Sequence, residues 1–159
     1  MSPADAMTLD EILAPGAVLH GLRAASKKSL LEELARRAGR ELGLDPGEIL
    51  TALLRREDLG STGVGDGVAL PHARMEAVGR PFGLLARLRD PLDFEAVDER
   101  PVDLVFLLLL PADAQGESLN ALASVARRLR DPETAAAMRG ARDAAALFSL
   151  ASGRTFSRA

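Results

Sequence analysis

A chain of 159 residues has room for one domain with a sizeable core and is too short to expect two. Its 47% hydrophobic content excludes a disordered chain, and the absence of cysteine excludes a disulfide framework and thiolate metal sites. A net charge of −3, with 20 basic and 23 acidic residues well mixed and only 3% aromatic residues, gives neither an electrostatic footprint nor stacking platforms for nucleic acid.

The N-terminus carries Asp5 and Asp10 and no uninterrupted apolar core, so it does not read as a signal peptide. The longest apolar run, Leu104 to Leu110, falls well short of the about 20 residues that span a bilayer. The expectation is a cytoplasmic, single-domain protein without membrane insertion. His20 and His72 are too far apart in sequence to form a zinc pair on one helix, and no metal or cofactor is expected.

In chain order, Met1 to Met7 reads as a loose end, and Thr8 or Leu9 to Leu13 as a helical turn stopped by Pro15-Gly16. Ala17 to Leu22 alternates as a first strand, with His20 in a structural role. Ser26 or Ser29 caps a helix, Ser29 and Glu32 having the spacing of a capping box, and Leu30, Leu31, Leu34, Ala35, Ala38 and Leu42 form its apolar stripe. Gly43 closes it. Asp45-Pro46-Gly47-Glu48 opens the next helix with an N-cap, a proline at N1 and an acid at N3, and that helix runs out at Arg55-Arg56-Glu57. Either arginine suits the negative end of a helix, and one of them can be aimed at the loop that follows.

That loop and its strand hold the greatest density of chemistry in the chain. Gly60, Gly63, Gly65 and Gly67 allow unusual backbone turns, yet their spacing is neither a Walker A loop nor a dinucleotide fingerprint. Val68-Ala69-Leu70 reads as a short strand that Pro71 ends, turning the chain where His72 leaves the ladder. A neutral imidazole attacks phosphorus or passes a proton near neutral pH without first losing a proton of its own.

Beyond it, Arg74 to Arg80 reads as a connection, Phe82 to Leu88 as a core strand, and Arg89-Asp90-Pro91 as a turn. Asp93 to Glu99 is loop-like, with Phe94 and Val97 as anchors. Val102 to Leu110 is a near-continuous apolar strand of the kind covered on both faces. The remaining chain supplies helices over Gly116 to Arg130, Asp131 to Met138 and Asp143 to Leu150. The fold class is therefore α/β: one domain over 9–151, a central mixed sheet covered by helices on both faces, and loose termini at 1–8 and 152–159.

Glu57, Val64-Gly65 and the run Val68-Ala69-Leu70-Pro71-His72-Ala73 resemble the active-site signature of enzyme IIA of the fructose/mannitol class in the bacterial phosphoenolpyruvate-dependent phosphotransferase system. Ser26-Lys27-Lys28, Arg56-Glu57 before Gly60-Ser61-Thr62-Gly63, and Pro101-Val102-Asp103-Leu104 before Pro111-Ala112-Asp113 follow the order of that family's nitrogen-regulatory members. The resemblance covers about Leu9 to Leu150. It implies that His72 carries a phosphoryl group on Nε2, received from a histidine-containing phosphocarrier protein, and that Arg56 is the active-site arginine.

A phosphoryl group needs donors, and two sources are in reach: the Arg56 fork, and an anion-binding nest of backbone N–H groups from Gly60, Ser61, Thr62, Gly63 and Gly65. Glu57 and Asp66 serve to orient Arg56 or a backbone turn, or face water, and Met75, Val64 and Leu59 read as either a docking rim or core. One departure stands out. Many members of the family have a second histidine where this chain has Ser118, which can donate a hydrogen bond but is never cationic. This favours a regulator that acts on an unknown target protein over its two competitors, a sugar-transport enzyme IIA feeding a fructose/mannitol-type permease component and a partner-binding module that kept only the fold. A histidine hydrolase is poorer still, because no nucleophile, base and orienter occur at recognisable spacing.

Overall fold

The computed structural model describes residues 9–113 and 116–152. A short helix α1 (Leu9–Ile12) leads into β1 (Leu13–Leu22), and two helices follow, α2 (Lys27–Leu42) and α3 (Pro46–Asp58). The strands β2 (Gly63–Gly65), β3 (Val68–Ala69), β4 (His72–Met75), β5 (Phe82–Leu92) and β6 (Val102–Pro111) come next, and α4 (Glu117–Arg130), α5 (Pro132–Arg139) and α6 (Ala144–Ser152) end the described chain. The expected loose ends lie outside the described residues, except that Ser152 belongs to the last helix.

The strands form one mixed sheet in the order β1, β5, β6, β3, β2, with β4 also paired to β6. β5 and β6 are antiparallel, while β1 runs parallel to β5 and both β3 and β4 run parallel to β6. Leu104 to Leu110 are buried without a break, so both sets of alternating side chains on this central strand are covered. α2 packs on α3 and against β1 and β5, whereas α4 packs on β6, α5 joins α4 to α6, and α6 packs on β1.

The helix ends follow from their sequences. Ser26 caps α2 and exchanges hydrogen bonds with Ser29, so the capping box is Ser26–Ser29, one turn earlier than the Ser29–Glu32 pairing, and Gly43 ends the helix in the left-handed conformation. Asp45 accepts from Gly47 N at the start of α3, with Pro46 behind it.

Three expectations about prolines and loops are corrected. β1 begins at Leu13 and absorbs Pro15-Gly16 in an irregular register on an edge of the sheet, where a missing amide hydrogen is tolerated. β5 does not turn at Arg89-Asp90-Pro91 but continues to Leu92. Its partner β1 ends opposite Leu88, so Pro91 faces no neighbour on that side. In the 93–99 loop Phe94 is fully buried, whereas Val97 is 73% exposed and ties the loop to β2 through its backbone, with Val97 N donating to the Gly63 carbonyl at 3.1 Å.

Pro71 does not end the ladder either. β3 pairs Val68 with Leu104 and β4 pairs His72 with Leu108, the same register throughout, so the two are one strand interrupted at Leu70-Pro71. Pro71 removes a single ladder donor while its carbonyl still accepts from Leu108 N at 2.9 Å. Leu70 points its backbone the other way, and its N–H donates to Thr62 O at 2.9 Å. The Leu70 carbonyl is left beside the ring of His72.

Candidate functional site

His72 opens β4 and is half-buried. Its Nδ1 lies 2.8 Å from the Leu70 carbonyl oxygen, which can only accept, so Nδ1 carries the proton and Nε2 the lone pair. Burial holds the His72 pKa below its ordinary 6.5 and the positive charge of Arg56 pushes the same way, while the bond to Leu70 opposes them. The ring is therefore neutral at physiological pH, with its nucleophilic nitrogen defined.

That nitrogen faces Arg56, in the last turn of α3. Arg56 Nε donates toward His72 Nε2 at 3.3 Å, and Nη1 donates to the Gly60 carbonyl at 2.9 Å. Arg55, one residue earlier on the helix, is exposed. Helix periodicity alone separates the two arginines: a rotation of 100° per residue turns one toward the sheet and the other toward solvent.

His72 and Arg56 share an opening of about 380 Å³ lined by Arg56, Ser61, Thr62, Val64, Leu70, His72, Leu122, Ala123 and Ala126. One wall is polar, and the other is an apolar stripe of α4. Sequence reading found the amphipathic face of that helix but not that Leu122 and Ala126, one turn apart, overlook His72. Only the packing of α4 on β6 reveals it.

The glycine-rich stretch is more ordered than a nest. Thr62 N donates to Glu57 Oε1 at 3.1 Å, Gly63 N donates to Ser61 Oγ at 3.0 Å, and Ser61 Oγ donates to the Phe94 carbonyl at 2.8 Å. These amides are engaged within the loop. Gly63 and Gly65 lie in β2, paired to β3, so of the five expected loop residues only Ser61 and Thr62 line the opening, and Gly60 holds Arg56 through its carbonyl. Gly63 is a glycine for steric reasons, since a Cβ there would lie 2.8 Å from the Ala96 Cα.

Glu57, near the end of α3, lies behind the loop and is not among the residues lining the opening. Its carboxylate, 6% exposed, accepts from Thr62 N, from the Thr62 hydroxyl and from Lys27 Nζ at 2.9 Å. Lys27 in turn reaches Glu95 at 3.1 Å and lies 4.7 Å above the Phe94 ring. Glu57 thus orients the loop and not Arg56, and Asp66 lies elsewhere, bound by Arg130 and facing Arg100.

Of the expected rim, Leu59 is 83% exposed beside Arg56, Val64 lines the opening, and Met75 packs partly against the core. Ser118 lies in the first turn of α4, and its side chain is outside the described residues. His20 is bound at Nε2 to the Ala141 carbonyl at 2.7 Å, a structural contact between β1 and the α5–α6 connection. Among the described residues no three metal-ligating side chains are grouped, and no helix is long and apolar enough to cross a membrane.

The family model for the phosphoenolpyruvate-dependent sugar phosphotransferase system, EIIA 2, matches residues 11–152. The nitrogen regulatory protein of Bradyrhizobium diazoefficiens is 46% identical over 144 residues, covering 91% of this chain and 94% of that one. The fructose-specific EIIA component of Haloferax volcanii is 39% identical over 111 residues, 66% of this chain and 69% of that one. The crystal structure of nitrogen regulatory protein IIA-Ntr from Neisseria meningitidis superimposes with a TM-score of 0.85 at 34% identity, covering 90% of this chain and 98% of that one. The chain belongs to the type 2 enzyme IIA family of the phosphoenolpyruvate-dependent sugar phosphotransferase system.

Proposed function

We propose that this protein is a cytoplasmic phosphohistidine carrier of the nitrogen-regulatory type, accepting a phosphoryl group on His72 Nε2 from a histidine-containing phosphocarrier protein. The observation that carries this reading is the fixed tautomer: Nδ1–H is tied to the Leu70 carbonyl and Nε2 is aimed at the opening beside Arg56. Nε2 attacks phosphorus in line, the phosphorus–nitrogen bond of the donor breaks as the new one forms, and the departing donor ring keeps the electron pair. His72 keeps its Nδ1 proton, so its phosphorylated ring is cationic and stays bound to Leu70 O. One phosphorus–nitrogen bond replaces another, and alignment with charge stabilisation suffices.

Arg56 turns its Nε–H from His72 Nε2 to a phosphoryl oxygen while the Gly60 carbonyl holds Nη1, and the apolar stripe of α4 limits water around the labile bond. The regulatory reading is supported by the nitrogen regulatory proteins among the relatives and by Ser118 at the position of the second histidine. A transport role is favoured by the fructose-specific relatives. Mass spectrometry under non-acidic conditions, after incubation with phosphoenolpyruvate and the upstream carriers, tests the chemistry: one added phosphoryl group that His72→Ala abolishes is expected, and an unmodified wild-type chain would overturn it. Transfer from the phosphorylated protein to permease components at a rate matching its own phosphorylation would move the assignment to transport.

A further inference from the structure

The relation between Lys27 and His72 is visible only in three dimensions. From the start of α2, Lys27 Nζ contacts Glu57 Oε1 at 2.9 Å, Glu57 takes both the N–H and the hydroxyl of Thr62, the Thr62 carbonyl takes Leu70 N–H at 2.9 Å, and the Leu70 carbonyl takes the Nδ1–H of His72 at 2.8 Å. Every link is a hydrogen bond or ion pair, and the links nearest Lys27 are shielded: the Glu57 side chain is 6% exposed, that of Lys27 17%, and Thr62 is buried. Lys27 is held from three sides, by Glu57, Glu95 and the Phe94 ring.

A carboxylate this deep and this close to a site for a phosphoryl dianion is unfavourable unless neutralised. We propose that Lys27 is a positioning residue for phosphoryl transfer, neutralising Glu57 and thereby fixing the Thr62–Leu70 bridge from which the His72 ring is oriented. Lys27 touches neither phosphorus nor the imidazole. Burial lowers its affinity for a proton, but Glu57 and Glu95 outweigh this and raise its pKa above 10.5, so the charge is permanent. The inference rests on the reading of His72 as phosphoryl acceptor.

Three variants test it: Lys27→Met, Lys27→Arg, and the double variant Lys27→Met with Glu57→Gln. The last removes both charges and keeps an acceptor for Thr62. Nitrogen NMR of the unphosphorylated proteins reads the His72 tautomer and titration, and rapid-quench kinetics with the phosphorylated carrier reads the transfer rate. Among the described residues, the charged groups acting on His72 are Arg56 and Glu57 of α3 and Arg74 of β4, and α4 presents Leu122, Ala123 and Ala126 to the opening.

With Glu57 left uncompensated, Lys27→Met is expected to raise the His72 pKa, mix its tautomers and slow transfer about tenfold. Lys27→Arg and the double variant recover most of the rate. If Lys27→Met does not fold, the double variant decides alone: near wild-type transfer supports the proposal and slow transfer overturns it. The proposal is also overturned if Lys27→Met lowers the melting temperature yet leaves tautomer, titration and rate unchanged. If the wild type takes no phosphoryl group while the NMR signals respond as expected, the reading of His72 fails and the positioning of its ring by Lys27 stands.

Discussion

The Nε–H of Arg56 points at the same lone pair of His72 that attacks phosphorus, across 3.3 Å. In the resting state the arginine therefore caps the nucleophile, and it must exchange that bond for a phosphoryl oxygen as the group arrives. Its other anchor, the Gly60 carbonyl at 2.9 Å, keeps the guanidinium near the ring while this happens. Arg56→Ala is expected to slow phosphorylation on the order of 100-fold, the scale for loss of one preorganised donor to a developing charge. Arg56→Lys should recover only part of it, because an ammonium cannot hold the carbonyl and present a planar fork at once. Rapid-quench kinetics on both variants, with circular dichroism to confirm the fold, is the measurement.

The lowered pKa of His72 fixes the sign of the pH response. Since burial, aided by Arg56, holds the folded pKa below 6.5, acceptance of the phosphoryl group should stay level as pH falls through 6.5 and decline only nearer the lowered value. Arg56→Ala removes one of the charges that depress it, and the decline should move to higher pH. For stability the unfolded chain binds the proton first. The contribution of this group is present in full above 6.5, falls as pH drops from there to the folded value, and is constant below it. Rate–pH profiles and denaturant midpoints across that window check both.

Much of this was legible before folding, and the exceptions share one cause. The Asp45-Pro46 start of α3, the Gly43 stop of α2 and the buried character of β6 are local or compositional signals, and they hold. His72 and Arg56 stand out in the motif, and the fold brings them into contact. Pro71 and Pro91 differ from expectation because a proline reads as a terminator until its neighbours are known. Pro71 removes a single bond from a strand whose register survives, and Pro91 lies beyond the end of β1. The amides of Thr62 and Gly63 have partners in Glu57 and Ser61 that glycine spacing cannot show.

Packing around the loop gives a steric prediction. At Gly63 a Cβ would lie 2.8 Å from the Cα and Cβ of Ala96, so the chain cannot accept a methyl group without moving β2 or the 93–99 loop. Gly63→Ala should destabilise the protein by about 1–3 kcal/mol as an overpacked substitution. Because Gly63 N–H also donates to Ser61 Oγ, the displacement should reach the polar wall and lower the phosphorylation rate as well. Chemical denaturation alongside kinetics tests the pair of effects, and a stable variant with an undisturbed rate would count against the rigid loop described here.

The wall opposite offers a cleaner test of electrostatics, because Ala123 lines the opening yet is exposed and its side chain ends at Cβ. Substitution there should change stability by no more than about 0.5 kcal/mol. Ala123→Glu would bring a negative charge toward the group carried by His72, with Arg56 the cation among the residues lining the opening, and transfer should slow by roughly tenfold in low salt and less in high salt. Ala123→Lys has similar bulk and the opposite sign, so it should leave the rate near that of the wild type or raise it. Comparing the two separates charge from crowding: equal losses in both variants, insensitive to salt, would mean that the α4 stripe acts by fitting the incoming carrier and not by shaping the field around the phosphoryl group.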